Sequence, residues 1–241
     1  MKGCEITVIA RLHSEFPEKF GIPRQSGLVD DLRGTVVFEP AFRNPDALRG
    51  IEGFSHLWLL WLFSESMGRG WSPTVRPPRL GGNARRGVFA TRAPYRPNPI
   101  GLSVVRLVRV DWHSARGPVL EVAGADLMDG TPIVDIKPYL PYVDSHPEAS
   151  GGFALTQKEG ALRVDCPPAL LGRVPEGRRA ALLAVLAQDP RPGYQHDPHR
   201  RYTMAFAGWQ VTFTVAQGVL TVRAIEPDCE KTVDKGPVPG V

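Results

Sequence analysis

Residues 57–63 read LWLLWLF, seven apolar side chains in a row without the alternation that a strand with one solvated face shows. The run has the length of a strand, and its composition places it with both faces buried or at the centre of a barrel. By itself it is core packing with no catalytic role. Further short runs rich in Val, Ile, Leu and Phe lie around it at 6–12, 35–38, 87–91, 102–110, 119–123 and 132–136. Seven short strands before residue 150 predict a mainly β fold, a barrel or a sandwich. The 25 glycines and 24 prolines are high counts, but they punctuate these runs as turn residues and form no low-complexity tract.

Two helices interrupt the strands. One is short, at 45–49, where Asn44 is a good N-cap, Pro45 suits the first helical position and Gly50 can close it. The other spans 176–187, where Leu182, Leu183 and Leu186 recur at helical spacing as a core stripe. After residue 150 the character changes to a poorly patterned strand near 154–164, that helix, the turn-rich DPRPGYQHDPHR of 189–200, and strands at 209–215 and 219–225. The expected organisation is a barrel or sandwich domain over 1–150, a small α+β domain over 151–228, and a polar tail over 229–241 with nothing to pack, hence mobile.

Absences narrow the function. No GxGxxG follows a strand and strands do not alternate with long helices, which excludes a Rossmann fold. No apolar stretch approaches the ~20 residues of a membrane helix. The first ten residues show neither a basic leader nor a small-residue cleavage site, so the expected location is the cytoplasm. Cys4, Cys166 and Cys229 are scattered and odd in number, which fits ordinary thiols better than disulfides or a zinc site. The one close histidine pair, His196 and His199, flanks Pro198 and has no third ligand nearby, so no metal is expected. GxSxG, HExxH and GxxxxGK[ST] are missing too.

The segments that can carry chemistry are loops. RPPRLGGNARRGVFATRAPYR, 76–96, holds Arg76, Arg79, Arg85, Arg86, Arg92 and Arg96 and no acidic residue. Such a stretch can meet several phosphates at once, or be a solvated basic face with no partner. The net charge of +4 is weak support for a polyanionic partner, because many basic proteins bind no nucleic acid. PYRPNPIGLS, 94–103, is stiffened by its X-Pro bonds. DLMDG, 126–130, sets Asp126 and Asp129 around Leu127 and Met128 in a tight turn, either as turn formers or as polar hooks for ribose hydroxyls or a cationic ligand. GIPRQSG, 21–27, places Arg24 and Gln25 in another turn.

Together GIPRQSGLV, ALRGIEGFSHLWLLWLF, RPPRLGGNARRGVFATRAPYRPNPIGLS and DLMDGTPIVDIKPYLPY resemble, in order and at compatible spacing, the TrmO (YaeB, TsaA-like) family of S-adenosylmethionine-dependent tRNA methyltransferases. The resemblance covers most of the first 145 residues and resumes at LAQDPRPGY, 186–194, similar to a motif of the C-terminal domain in the longer bacterial members. It implies a single-sheet β-barrel acting as a homodimer with the cofactor pocket near the subunit contact. It also implies methyl transfer from S-adenosylmethionine to N6 of threonylcarbamoyladenosine at position 37, just 3′ of the anticodon, in threonine tRNA. Carried over by motif, cofactor contacts fall on Pro23, Arg24, Gln25, Ser64, Glu65, Arg92, Leu102, Asp126, Leu127, Met128 and Asp129. Ser64 and Glu65 stand where some members carry His-Gln.

These placements suit the ligand's chemistry, because an arginine fork holds a carboxylate, carboxylates accept from ribose hydroxyls and apolar side chains cover an adenine. The N6 nitrogen belongs to a urea whose lone pair is delocalised, so removal of its proton would help; Asp126, Asp129 and Glu65 are the candidate bases, the alternative being alignment alone. Arg79, Arg85, Arg86 and Arg96 become tRNA contacts, and Tyr95 or Tyr139 a stacking surface for a splayed base. Two other readings share the barrel: a non-catalytic RNA-binding protein, and a hydrolase or transferase on another small substrate.

Overall fold

The computed structural model describes residues 5–77, 84–154, 161–192, 195 and 197–228. Cys4, Arg79, Cys229, His196 and the 229–241 tail therefore lie outside the described residues. The strands are β1 (Ala10–Ser14), β2 (Arg33–Phe38), β3 (His56–Leu62), β4 (Thr74–Val75), β5 (Arg86–Gly87), β6 (Ile100–Asp111), β7 (Val119–Ala123) and β8 (Thr131–Pro138). Six of them close into one barrel in the order β1-β2-β7-β6-β3-β8, every neighbouring pair antiparallel. The two-residue β4 and β5 pair with each other outside it.

The barrel interior is filled by Leu12, Val36, Leu57, Leu59, Val105, Leu120, Val122 and Ile133, all essentially inaccessible. Along β3 the burial does alternate although the composition does not. Leu57 and Leu59 point inward, while Trp58 and Leu60 are half-buried on the outer face. Trp58 is covered there by Tyr139, ring centroids 5.7 Å apart, and donates from Nε1 to Asp144 Oδ2 at 3.0 Å. The register against β8 shifts at Leu60/Trp61, where Val134 of β8 is an extra residue without a partner on β3.

Residues 45–48 form a 3-10 turn with the Asn44 side chain accepting from the Asp46 amide at 3.0 Å. The expected strand at 87–91 is instead the bridge residues of β5 followed by a 3-10 turn, Val88–Ala90. Arg86 and Gly87 pair with β4, and beyond them the carbonyls of Val88 and Thr91 accept from the Arg96 guanidinium.

The one-turn α1 (Pro141–Asp144) follows β8 and stays with the barrel, its Asp144 being the acceptor for Trp58. The second region carries α2 (Pro168–Leu171) and α3 (Glu176–Ala187), the last on the residues the leucine spacing indicates. Its strands β9 (Arg163–Asp165), β10 (Tyr202–Phe206), β11 (Trp209–Ala216) and β12 (Val219–Pro227) form a sheet in the order β10-β11-β12-β9, with β9 parallel to β12. The core beneath α3 recruits Phe16, Val29 and Leu32 from the segment joining β1 to β2. Glu15, just after β1, is ion-paired to Arg178 of α3 at 2.7 Å. Burial pushes the Glu15 carboxyl up, against the pull of Arg178 and with a further push from Asp129.

Candidate functional site

At one end of the barrel β3 finishes, β6 begins, and the turn from β7 to β8 crosses over. A cavity of about 240 Å³ opens there, lined by Lys19, Ile22, the run Trp61 to Ser66, Pro94, Asp126, Leu127, Met128 and Thr131. This lies just below the ~300 Å³ at which small-molecule pockets begin. Its walls are mostly apolar, with a cation and two carboxyl groups, Lys19, Glu65 and Asp126, set into them.

Trp61 extends the inward row of Leu57 and Leu59 to the barrel mouth and pairs across the sheet with Gly101. Only a glycine permits this. A Cβ on Gly101 would sit 2.2 Å from the Trp61 ring. The indole also packs edge-on to Phe63, centroids 4.3 Å apart. Its Nε1 donates to Ser103 Oγ at 3.0 Å, and that hydroxyl donates to Asp126 Oδ1 at 2.6 Å. Burial raises the Asp126 carboxyl above the usual carboxylate range. The Ser103 hydroxyl, the amides of Asp126 and Ser26 and the charge of Arg92 pull the other way.

Arg92 belongs to a second chain of contacts. It donates to Gln25 Oε1, Gln25 Nε2 donates to the Arg24 carbonyl, and Arg24 Nη2 donates to the Arg191 carbonyl at 3.1 Å. Arg191 is gripped by both carboxylate oxygens of Asp189 at 2.8 Å. The GIPRQSG and DPRPGY motifs, over 160 residues apart in sequence, are thus joined beside the cavity. Pro23 is buried within the same segment.

Asp129 faces elsewhere. Its amide donates to the Phe16 carbonyl at 2.7 Å, and its Oδ1 accepts from the Ser14 amide and meets His13 Nδ1, both at 3.1 Å. It closes the turn onto β1 and does not line the cavity. Leu102, 48% exposed, projects from the face of β6 opposite to Ser103. Ser64, Glu65, Asp126, Leu127 and Met128 come together; Asp129 and Leu102 do not join them.

Among the arginines, Arg85 and Arg86 are exposed, with Arg86 lying 5.7 Å from the Phe153 ring. Arg96 is built into the loop: Nη1 donates to the carbonyls of Val88 at 3.0 Å and Thr91 at 2.6 Å, and the guanidinium lies over Phe89. Tyr95 is exposed, and Tyr139 is half-buried against His56 and Trp58. Sequence reasoning gave Trp61, Ser103, Lys19 and Thr131 no role. Trp61 was absorbed into core packing and Ser103 ended the PNPIGLS motif, and no local pattern shows that both reach Asp126.

Fold and site define a two-part protein: a closed six-stranded antiparallel barrel with an acid-containing cavity at its mouth, and an α+β region that hydrogen-bonds to the cavity's flank. The chain belongs to the tRNA-methyltransferase O family, whose N-terminal domain matches residues 11–145 and whose C-terminal domain matches residues 172–228. It is 42% identical to the tRNA (adenine(37)-N6)-methyltransferase of Escherichia coli K12 over 94% of this chain and 100% of that one. The protein of that name from Eikenella corrodens is 45% identical, over 71% of this chain and 97% of its own. A protein from Pseudomonas aeruginosa PAO1 called a putative S-adenosylmethionine-dependent methyltransferase, RcsF, is 45% identical over 82% of this chain and 86% of its own. A crystal structure of TrmO from P. aeruginosa superposes with a TM-score of 0.75 at 34% identity, covering 94% of this chain and 98% of that one.

Proposed function

We propose that this chain is a tRNA (adenine(37)-N6)-methyltransferase that uses S-adenosylmethionine and acts on threonylcarbamoyladenosine in threonine tRNA, as a cytoplasmic homodimer. The observation that carries the reading is Asp126. A carboxyl group is held by a buried hydroxyl in the wall of an otherwise apolar cavity, in a chain that matches an adenine-N6 methyltransferase along nearly its whole length.

The residues present fit the cofactor. Trp61, Phe63, Pro94 and Met128 offer apolar surface to an adenine, Glu65 and Asp126 suit ribose hydroxyls and a cationic centre, and Arg92 brings a guanidinium beside Asp126 for a carboxylate. When bound, S-adenosylmethionine supplies an already activated methyl group on a sulfonium. The protein's part is alignment, exclusion of water and disposal of one proton. Asp126 accepts that proton from N6 on its carboxylate, directly or through water, and its raised affinity for a proton suits it to the task. Glu65 is the second carboxyl group within reach, and Asp129 is occupied by β1. Arg76, Arg85 and Arg86 on the exposed loop meet backbone phosphates. Because Leu102 points away from its own cavity, in the homodimer it serves the pocket of the partner subunit.

The test is mass spectrometry of nucleosides from threonine tRNA incubated with protein and S-adenosylmethionine, with and without the threonylcarbamoyl group. N6-methylated threonylcarbamoyladenosine is expected; no methylated nucleoside, or methylation only of unmodified adenosine, overturns the reading. Calorimetry with S-adenosylmethionine separates it from a non-catalytic RNA-binding barrel, which gives no heat.

A further inference from the structure

Ser103 is a polar residue in an apolar place. It is 1% exposed, on the inner face of β6 between Gly101 and Val105. A serine hydroxyl has one proton to give and two lone pairs to offer, and an indole nitrogen can only donate. Trp61 Nε1 takes one lone pair of Ser103 Oγ at 3.0 Å, and with Asp126 ionised the hydroxyl proton goes to Asp126 Oδ1 at 2.6 Å, because a carboxylate can only accept. That separation belongs to an O–H bound to a charged oxygen. The indole step can run only one way, and with the carboxyl group ionised the relay runs from indole to hydroxyl to carboxylate.

We propose that Ser103, oriented by Trp61, is the positioning residue for Asp126. It keeps Oδ1 an acceptor, holds the carboxyl group ionised against its burial, and confines any proton that Asp126 takes up to the other oxygen. The inference deepens the reading of Asp126 as proton acceptor and rests on it. Positions 61, 101 and 103 then act as one unit, because the missing Cβ of Gly101 is what lets the indole lie flat enough to reach Ser103. The other groups facing Asp126 are Arg92 from the loop before β6 and the amides of Ser26 and of Asp126 itself. Lys19 and Glu65 share the cavity from the β1–β2 segment and the turn after β3.

The experiment uses the full chain without cofactor or RNA. Indole N–H signals of its five tryptophans are followed by NMR against pH, with the Trp61 signal identified by Trp61→Phe and the Asp126 carboxyl followed by carbon detection. The Trp61 signal is expected to move in step with Asp126. In Ser103→Ala the Asp126 midpoint moves upward by about one pH unit, the scale of one hydrogen bond to a charged group, and the Trp61 signal no longer follows it. Trp61→Phe, which leaves the hydroxyl in place, moves the midpoint in the same direction by less, and Ser103→Thr restores it. In methylation assays the acid limb of kcat shifts upward in Ser103→Ala while KM for tRNA holds. An Asp126 midpoint unchanged in Ser103→Ala, or a Trp61 signal indifferent to Asp126, overturns the relay. A protein that passes the titration yet yields no methylated nucleoside sinks the proposed reaction and not the relay.

Discussion

Asp126 is where chemistry and stability pull in opposite directions. Its carboxyl is raised by burial, so the folded chain holds the proton more tightly than the unfolded chain does. At neutral pH the buried charge subtracts from stability, and the deficit shrinks as pH falls through the raised value. Asp126→Asn keeps an oxygen for Ser103 to donate to and removes the charge. It is expected to melt at a higher temperature than the parent at neutral pH, with the difference closing in acid, and to lose at least about a hundredfold in kcat, the usual weight of a general base. Thermal melts across pH and single-turnover rates check both halves. At Gly101 the constraint is steric. Gly101→Ala drives a methyl into the Trp61 ring, at an expected destabilisation of about 1–3 kcal/mol by denaturant titration.

Two short elements place the site's flank. The 3-10 turn Val88–Ala90 is held by the Arg96 guanidinium, which satisfies carbonyls that a strand partner would otherwise have taken. The Val88 carbonyl also accepts from the amide and hydroxyl of Thr91, so the apolar run of 87–91 that reads as a strand closes on itself as a turn. The other element is the bend after α3, where Asp189 adopts a left-handed φ of 51°, a conformation that Asp tolerates better than most residues, and grips Arg191. Since the Arg191 carbonyl receives Arg24, the bend steadies Arg24, Gln25 and Arg92 in turn. Asp189→Ala is expected to destabilise the chain by about 1–3 kcal/mol and to weaken S-adenosylmethionine binding several-fold in calorimetry, although the residue does not line the cavity. Unchanged cofactor affinity would show that the bend serves stability alone.

At the scale of the molecule, the exposed arginines and the barrel mouth form one working surface in the proposed reading. The double variant Arg85→Glu, Arg86→Glu is expected to bind threonine tRNA at least about tenfold more weakly at moderate salt. The slope of log K against log salt should fall by about two or more, with S-adenosylmethionine affinity unaltered. An unchanged salt slope would move the docking face elsewhere. Assembly is tested at Leu102, 48% exposed on the outer face of β6. If it serves a partner's pocket, Leu102→Asp shifts sedimentation toward the monomer and weakens cofactor binding together. A variant that stays dimeric with full affinity would remove Leu102 from the site.

The strand runs other than 87–91, the α3 stripe, the Asn44 cap and the order of four long motifs are local patterns, and the sequence by itself determined them, along with the family they resemble. Periodicity suffices for the strands and the stripe because they depend on which side of a backbone faces water, and the cap depends only on a side-chain oxygen two residues from a free amide. Tertiary structure alone decided which motif residues meet. Asp126 and Asp129, three positions apart, look equivalent in the chain. One enters the cavity and the other closes onto β1, because the turn between them reverses direction. Ser103 became a partner of Asp126, and Arg191 a partner of Arg24, only when barrel closure and the packing of Phe16, Val29 and Leu32 under α3 brought distant segments within hydrogen-bonding distance. Such contacts arise from long-range closure, which leaves no periodic trace in the residues that make them.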